Sequence, residues 1–133
     1  RIVFGRTPVT DARLVEASWG AWEGRRWADI EAEGGPKYEA TLRGGLDYCA
    51  AGGEPPREVI ARLTPFFAER AADGVDAAMV VHAGVLRAMI AMATGWSHSG
   101  KPPHKPKDAT GHVYAVAADG TLSLERPNVS LEE

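Results

Sequence analysis

The stretch Met79-Val80-Val81-His82-Ala83-Gly84-Val85-Leu86-Arg87 joins a short apolar run to an amphipathic pattern. Residues 76–81 predict a strand buried on both faces, because the run is too short for a helix. Residues 85–94 predict a helix, with apolar side chains at helical spacing and Gly95 at its end. The turn between them would lie at the carboxyl end of a strand, which is where open α/β sheets bind ligands.

His82 lies in this turn, and two roles are open to it. An imidazole beside the free N–H groups of a helix N-terminus is able to donate a hydrogen bond or a proton to a phosphate. A residue that merely ends a strand fits the same position, and the stretch alone favours neither role.

The composition is that of an ordinary globular protein. The chain has 133 residues, of which 44% are hydrophobic and 25% charged, and this length predicts a single domain over residues 1–133. The formal net charge of −3 gives no electrostatic reason to expect nucleic acid as a partner. The single cysteine, Cys49, excludes an internal disulfide and favours a cytoplasmic location.

Three further classes of feature are not predicted. The four histidines are scattered and neither a CxxC nor an HExxH pattern occurs, so no metal site is expected. The apolar region 77–95 is interrupted by His82 and Arg87, so no membrane span is expected. A signal peptide is not expected either.

Helices are predicted before and after a glycine-rich loop. Residues 25–33 predict one helix, ended by Gly34-Gly35-Pro36, and residues 37–43 predict a short second one. The clearest helix begins at Pro56, since proline is tolerated in a first turn, and Pro65 should kink or split it. Its apolar stripe comprises Val59, Ile60, Leu63, Phe66 and Phe67.

The C-terminal part predicts a loop followed by a hairpin. Residues 97–107 contain three prolines and three lysines, which is typical of a surface loop. Residues 112–118 and 121–125 alternate polar and apolar side chains around Asp119-Gly120, a strong signal for a β-hairpin.

Two sets of side chains have a structural and a functional interpretation. Trp19, Trp22 and Trp27 either anchor the loop around them to the body of the domain or line a substrate pocket. His98 and His104 either contact a ligand or, as is more common in loops rich in Pro and Lys, are solvated.

Three segments resemble motifs of the histidine phosphatase superfamily, which also contains the cofactor-dependent phosphoglycerate mutases. Residues 13–24 are similar to its segment L-x-E-x-x-(aromatic)-G-x-W-E-G. Gly52-Gly53-Glu54 is similar to its G-G-E-S helix start, with Pro55 in place of serine. Residues 80–87 are similar to V-V-S-H-G-G-V-I-R, with Ala83 at a position where glycine is usual.

The resemblance implies phosphoryl transfer through a phosphohistidine. Glu16 matches the superfamily's proton donor, which protonates the leaving alcohol. His82 matches its second, phosphate-binding histidine, helped by the backbone N–H of Ala83. The implied catalytic residues are therefore Glu16 and His82, and the implied phosphate-binding residues are His82 and Ala83. No metal or organic cofactor is implied, although a mutase would need a phosphorylated primer.

The resemblance also implies an α/β fold, the three-layer α/β/α sandwich of the phosphoglycerate mutase-like type. The superfamily's nucleophile lies in an Arg-His-Gly motif after the first strand, and no Arg-His-Gly occurs in these 133 residues. The chain begins at Arg1 rather than at methionine, so we expect it to be the C-terminal two-thirds of the domain. In the superfamily the first strand lies beside the strand that matches residues 76–81, and without it the backbone groups of that strand would lack partners. We therefore expect a second chain, a symmetry-related copy in a homodimer, or a further segment outside these residues to fill the gap.

The predicted function is hydrolysis of a phosphomonoester, a small phosphorylated metabolite, with the isolated chain inactive because the nucleophilic histidine is absent. Two alternatives stay open: phosphoryl transfer of the phosphoglycerate mutase type, and a non-catalytic relative that binds phosphate compounds or a partner protein. Neither nucleic acid nor a membrane is expected as a partner.

Overall fold

A computed structural model describes residues 7–131, apart from the side chains of residues 35–42. The helices are α1 (Trp27–Leu42), α2 (Pro56–Asp73) and α3 (Ala83–Thr94), and the strands are β1 (Thr110–Val116) and β2 (Leu122–Ser130). Short 3-10 turns lie at Ala12–Leu14, Gly20–Trp22 and Gly45–Asp47. Among the helices of the described residues, none combines the length and the apolar character that a membrane span requires.

Helix α1 is longer than the sequence pattern predicts. The predicted break at Gly34-Gly35-Pro36 is wrong, because α1 runs on to Leu42 and absorbs the short helix predicted over residues 37–43. The helix therefore continues through glycine and proline, residues that by local propensity alone would end it.

Helix α2 begins at Pro56 as predicted, because the first turn of a helix leaves its N–H groups unpaired and proline has none to lose. Pro65 lies inside a helix that continues to Asp73, so the predicted split is wrong. Pro65 is exposed, and the buried stripe faces the other way. That stripe comprises Val59, Leu63, Phe66 and Phe67, as predicted, whereas Ile60 is only partly buried.

The predicted hairpin is present and packs on α2. Strands β1 and β2 pair antiparallel on either side of Asp119-Gly120, and β2 extends beyond its predicted end to Ser130. Gly120 has a φ of 85°, and a Cβ there would lie 2.8 Å from the backbone nitrogen of Ala68. The hairpin turn therefore rests directly on the backbone of α2. The core that joins hairpin and helices contains Val59, Leu63, Phe66, Phe67, Val85, Ala88, Met89 and Leu122.

The strand predicted over residues 76–81 is not formed. Residues 75–82 belong to no helix or strand, and within residues 7–131 the hairpin forms the one sheet. Met79 and Val81 pack against the core, whereas Val80 between them is 94% exposed. The segment thus buries alternate side chains rather than both faces. The predicted partner chain beside it remains a prediction.

Candidate active site

Glu16 lies at the N-terminus of α3. Its Oε2 accepts a hydrogen bond from the backbone N–H of Gly84 at 3.1 Å, and its Oε1 accepts one from the N–H of Ala17 at 2.8 Å. Gly84 is in the first turn of α3, where N–H groups have no partner inside the helix and attract negative charge. Two residues 68 positions apart in the sequence therefore meet where the helix begins.

The contact depends on the absence of a side chain at Gly84. A Cβ atom at this position would collide with Oε1 of Glu16 and would lie 3.4 Å from the Cβ of Ala17. Since the backbone of Gly84 is ordinary helix, a side chain there would conflict with the Glu16 carboxylate and not with the backbone conformation. Gly84 makes room for the carboxylate.

Arg62 of α2 holds the segment that carries Glu16. Its guanidinium donates to the backbone carbonyl of Val15 at 2.7 Å and to that of Arg13. It also donates to both carboxylate oxygens of Glu54, at 2.7 and 3.1 Å. The two charged side chains are only 18% and 21% exposed, so water competes weakly for these charge-assisted bonds. The backbone just before Glu16 is thereby tied to α2.

A cavity of about 510 Å³ opens beside the first turn of α3. This volume is within the range of small-molecule sites. Ala83 and Gly84 line it from α3, and Ala17 lines it next to Glu16. The first turn of α3, where Glu16 binds, therefore faces a space large enough for a ligand.

Of the residues implied by the resemblance, Ala83 lines this cavity and Glu16 adjoins it through its neighbour Ala17. His82 is the N-cap of α3, with φ −85° and ψ 169°, and its side chain is exposed rather than among those that line the cavity. The described part of the chain contains no group of three or more His, Cys, Asp or Glu placed to hold a metal ion.

One wall of the cavity is aromatic. Trp19 meets Trp27 edge to face with ring centroids 5.5 Å apart, and Tyr48 lies 6.5 Å from Trp19. All three line the cavity, whereas Trp22 does not, although its ring centroid is 5.7 Å from that of Trp27. Such edge-to-face pairs stabilise the packing of a loop. The tryptophans therefore anchor the loop, and Trp19 and Trp27 also present their rings to the cavity.

Arg87 and His98 also line the cavity; sequence reasoning did not single out Arg87, whereas ligand contact was one of the two interpretations of His98. The His98 ring stacks on Trp96 with centroids 4.3 Å apart and an angle of 20° between the planes. His98 is therefore not fully solvated. His104 is not among the residues that line the cavity. The nearby Trp96 was the one available signal, since an aromatic residue just before a loop histidine offers it a surface to stack on.

His98 should titrate far below the pH at which histidines usually do. Burial, with a further contribution from the positive charge of Arg87, lowers its pKa from 6.5 to about 4. Between those two values the unfolded chain binds more protons than the folded one, so stability is complete above about pH 6.5 and falls as the pH drops toward 4. We expect the His98 ring signals in an NMR titration to move near pH 4.

The control for this prediction is His98→Gln, measured by thermal unfolding over the same pH range. Between pH 6.5 and pH 4 the Tm of the variant should fall by less than the Tm of the unsubstituted protein. A His98 signal that titrates at the ordinary histidine value would contradict the burial of the ring.

A family model described as the histidine phosphatase superfamily, branch 1, matches residues 2–129. This chain belongs to that superfamily. A 2,3-bisphosphoglycerate-dependent phosphoglycerate mutase of Azorhizobium caulinodans is 25% identical over 126 residues, which are 92% of this chain and 61% of the mutase.

Solved structures of histidine phosphatase relatives confirm the predicted phosphoglycerate mutase-like fold. A mycobacterial glucosyl-3-phosphoglycerate phosphatase in complex with inorganic phosphate has a TM-score of 0.72 and 25% identity, over 91% of this chain and 64% of that protein. A second structure, described as mycobacterial hydrolase 2, has a TM-score of 0.67 and 26% identity, over 92% of this chain and 60% of that protein. The chain thus spans between 60% and 64% of these relatives and carries part of the fold.

Proposed function

We propose that this chain belongs to a phosphomonoester hydrolase that acts on a small phosphorylated metabolite through a phosphohistidine intermediate. The observation that carries the proposal is the hydrogen bond from the Gly84 N–H to Glu16, at the edge of the cavity. This contact supports the proposal, because a carboxyl group is able to move a proton and helix N–H groups are able to bind phosphoryl oxygens.

The proposed reaction needs a nucleophile, a proton donor and groups that hold the phosphoryl oxygens. The attacking imidazole, which by family resemblance belongs to an Arg-His-Gly motif absent from these 133 residues, forms an N–P bond as the P–O bond of the ester breaks. Glu16 gives its proton to the departing alcohol oxygen. His82 and the N–H of Ala83 hold the phosphoryl oxygens. Water then attacks phosphorus, Glu16 takes a proton from it, and the N–P bond breaks.

Phosphoryl transfer of the phosphoglycerate mutase type is the second candidate, and the similarity to a phosphoglycerate mutase favours it. The products separate the two reactions. A hydrolase releases inorganic phosphate, whereas a mutase returns the phosphoryl group to an organic acceptor.

Location and assembly belong to the same proposal. A cytoplasmic location is supported by the single cysteine, Cys49, which is free. Pairing of residues 76–81 with a second chain, in a homodimer or with another protein, is supported by the exposed Val80. Sedimentation of the purified chain tests this pairing. If the chain sediments as a monomer and Val80→Asp does not change its sedimentation, the result argues against pairing.

The function is tested by comparing the chain of residues 1–133 with the product of the whole reading frame that encodes it. We expect a frame containing Arg-His-Gly, an intact mass above that of this chain, and an acid-labile phosphohistidine trapped after incubation with a phosphomonoester. The chain of residues 1–133 alone should bind phosphate without turnover. Hydrolysis by that chain alone would contradict the proposal, since it would place the nucleophile within these residues.

A frame without Arg-His-Gly, together with an intact mass equal to that of residues 1–133, would favour the non-catalytic alternative. Phosphate binding without any phosphohistidine would then be the expected behaviour.

A further inference from the structure

Beyond the start of α3, the side chains that line the cavity are mainly apolar. Trp19, Trp27 and Tyr48 form its aromatic wall, and Val59 lines it from α2. These residues lie in separate segments of the chain, so the fold, and not one local run of sequence, builds the apolar surface. A ligand held at the first turn of α3 would therefore have aromatic and aliphatic side chains around the rest of it.

Trp27 leaves half of its surface uncovered. It is 50% exposed, although its ring meets those of Trp19 and Trp22 edge to face, with centroids 5.5 and 5.7 Å away. Because these two contacts already hold the ring, a ligand that covers its open surface restricts little further side-chain motion. Trp27 thus presents a preformed surface on which a flat apolar group gains both buried area and aromatic contact.

The polar side chains that line the cavity are largely engaged within the protein. The Ser18 hydroxyl donates to a glutamate of its own loop at 3.0 Å, and the Glu54 carboxylate is bound to Arg62. The Cζ of Arg87 lies over the Trp96 ring, 5.4 Å from its centroid. An organic group rich in hydroxyls would lose its hydrogen bonds to water here and would find few free replacements.

We propose that the organic part of the substrate carries an aromatic ring, which packs on Trp27 while the phosphoryl group lies at the start of α3. The substrate class is then a phosphomonoester whose alcohol bears an aromatic ring. Such a ring is stabilised by its buried apolar area and by edge-to-face or stacked contacts with the aromatic wall, whereas hydroxyl groups gain neither. This inference rests on the proposed function, because it takes the start of α3 as the phosphoryl site.

Benzyl, cyclohexylmethyl and propyl phosphate test the inference, together with glycerol 3-phosphate. All four release a primary alcohol, so their leaving groups are similar and differences in turnover report on the organic part. With the product of the whole reading frame, we expect kcat/KM for benzyl phosphate to exceed that for propyl phosphate by about tenfold, the size of effect that burial of a ring brings. It should exceed that for cyclohexylmethyl phosphate by about threefold, because only the benzyl group makes aromatic contacts. Glycerol 3-phosphate should be the poorest substrate.

The decisive variant is Trp27→Ala, which removes the ring from a half-exposed position at the start of α1. It should lower the preference for benzyl over propyl phosphate from about tenfold to below about twofold, and Trp27→Phe, which keeps an aromatic ring, should restore most of it. Trp22→Ala is the matched control, because Trp22 contacts Trp27 but does not line the cavity, and it should keep the preference. The ranking of the four substrates in the unsubstituted protein tests the inference even if a variant does not fold.

The outcomes separate this inference from the proposed function. Equal kcat/KM values for benzyl and propyl phosphate would overturn the aromatic site and leave the hydrolase intact. Equal values for benzyl and cyclohexylmethyl phosphate would also overturn it, since the cavity would then select apolar bulk and not an aromatic ring. A preference that survives Trp27→Ala would overturn the role of Trp27. Turnover of none of the four substrates, without a trapped phosphohistidine, would overturn the proposed function and with it the inference.

Discussion

Replacing Glu16 with glutamine is expected to lower the hydrolysis of alkyl phosphates by roughly 10²- to 10⁴-fold, the usual contribution of a positioned proton donor. Glutamine keeps the size of the side chain and still accepts the N–H of Gly84 through its amide oxygen. It has no proton to give to the leaving oxygen. The assay compares turnover of the product of the whole reading frame with that of its Glu16→Gln variant.

The leaving group separates a proton donor from a merely structural residue. p-Nitrophenolate departs without a proton, so the loss should be much smaller for p-nitrophenyl phosphate than for an alkyl phosphate. Equal losses on both substrates would contradict the role of Glu16 as the acid. Glu23→Gln is the matched control, because Glu23 is a carboxylate of the same loop that accepts hydrogen bonds from the Ser18 hydroxyl and the Trp19 N–H.

Gly84→Ala should affect the same step from the other side of the contact. The added Cβ collides with the end of the flexible Glu16 side chain, which is able to swing away, so the fold should survive. Alanine also favours helix over glycine. We therefore expect unchanged or higher thermal stability together with lost turnover of alkyl phosphates, a combination that general destabilisation does not produce.

The elements that the sequence predicts correctly are those with local signals. Helix α2 is marked by proline in its first turn, α3 by Gly95 at its end, and the hairpin by Asp119-Gly120. Each signal acts through the backbone conformation of a few neighbouring residues, which the sequence states directly. Helix α1 was mispredicted because the local helix breakers Gly34-Gly35-Pro36 lie inside it, so local propensity does not decide where this helix ends.

Contacts between distant residues account for what the sequence alone does not reveal about the site. The resemblance identifies Glu16, yet its hydrogen bond to Gly84 spans 68 positions and depends on how two elements pack. His98 is predicted as a loop residue, and its burial follows from the stacking on Trp96 and the position of Arg87 above the same ring. No periodicity carries that information, because the loop has none.

Segment 76–81 shows the same limit in the fold. An apolar run predicts that its side chains are buried, but it does not say which strand, of this chain or of another, lies beside it. Met79 and Val81 meet the core of this chain and Val80 does not. The local sequence therefore indicates that residues 76–81 are buried, whereas the element that packs beside them depends on the topology of the fold.

Replacing Arg62 with alanine is expected to lower the free energy of unfolding by about 2–3 kcal/mol, somewhat less than the loss of a fully buried ion-pair partner. The variant would leave Glu54 without its cation and the carbonyls of Arg13 and Val15 without their donor. The ion pair with Glu54 and the bond to the Arg13 carbonyl are partly buried, so water does not replace these lost bonds in full. Urea unfolding followed by tryptophan fluorescence measures the change.

Arg57→Ala on the same helix provides the comparison. Arg57 also makes two hydrogen bonds to a carboxylate, that of Asp47, but the two side chains are 61% and 67% exposed. Water and salt screen an exposed pair, so this substitution should leave stability nearly unchanged. Equal losses in the two variants would mean that the number of hydrogen bonds, rather than their burial, sets the effect, and would contradict the prediction.

Arg62→Lys separates charge from geometry at this position. Lysine keeps the positive charge near Glu54, but one ammonium group is unable to reach a carboxylate and two carbonyls as the planar guanidinium does. If Arg62 acts by fixing the backbone before Glu16, Arg62→Lys should retain most of the stability and still lose turnover of alkyl phosphates selectively over p-nitrophenyl phosphate. If Arg62→Lys instead restores both stability and turnover relative to Arg62→Ala, the role of Arg62 is limited to stabilising the fold.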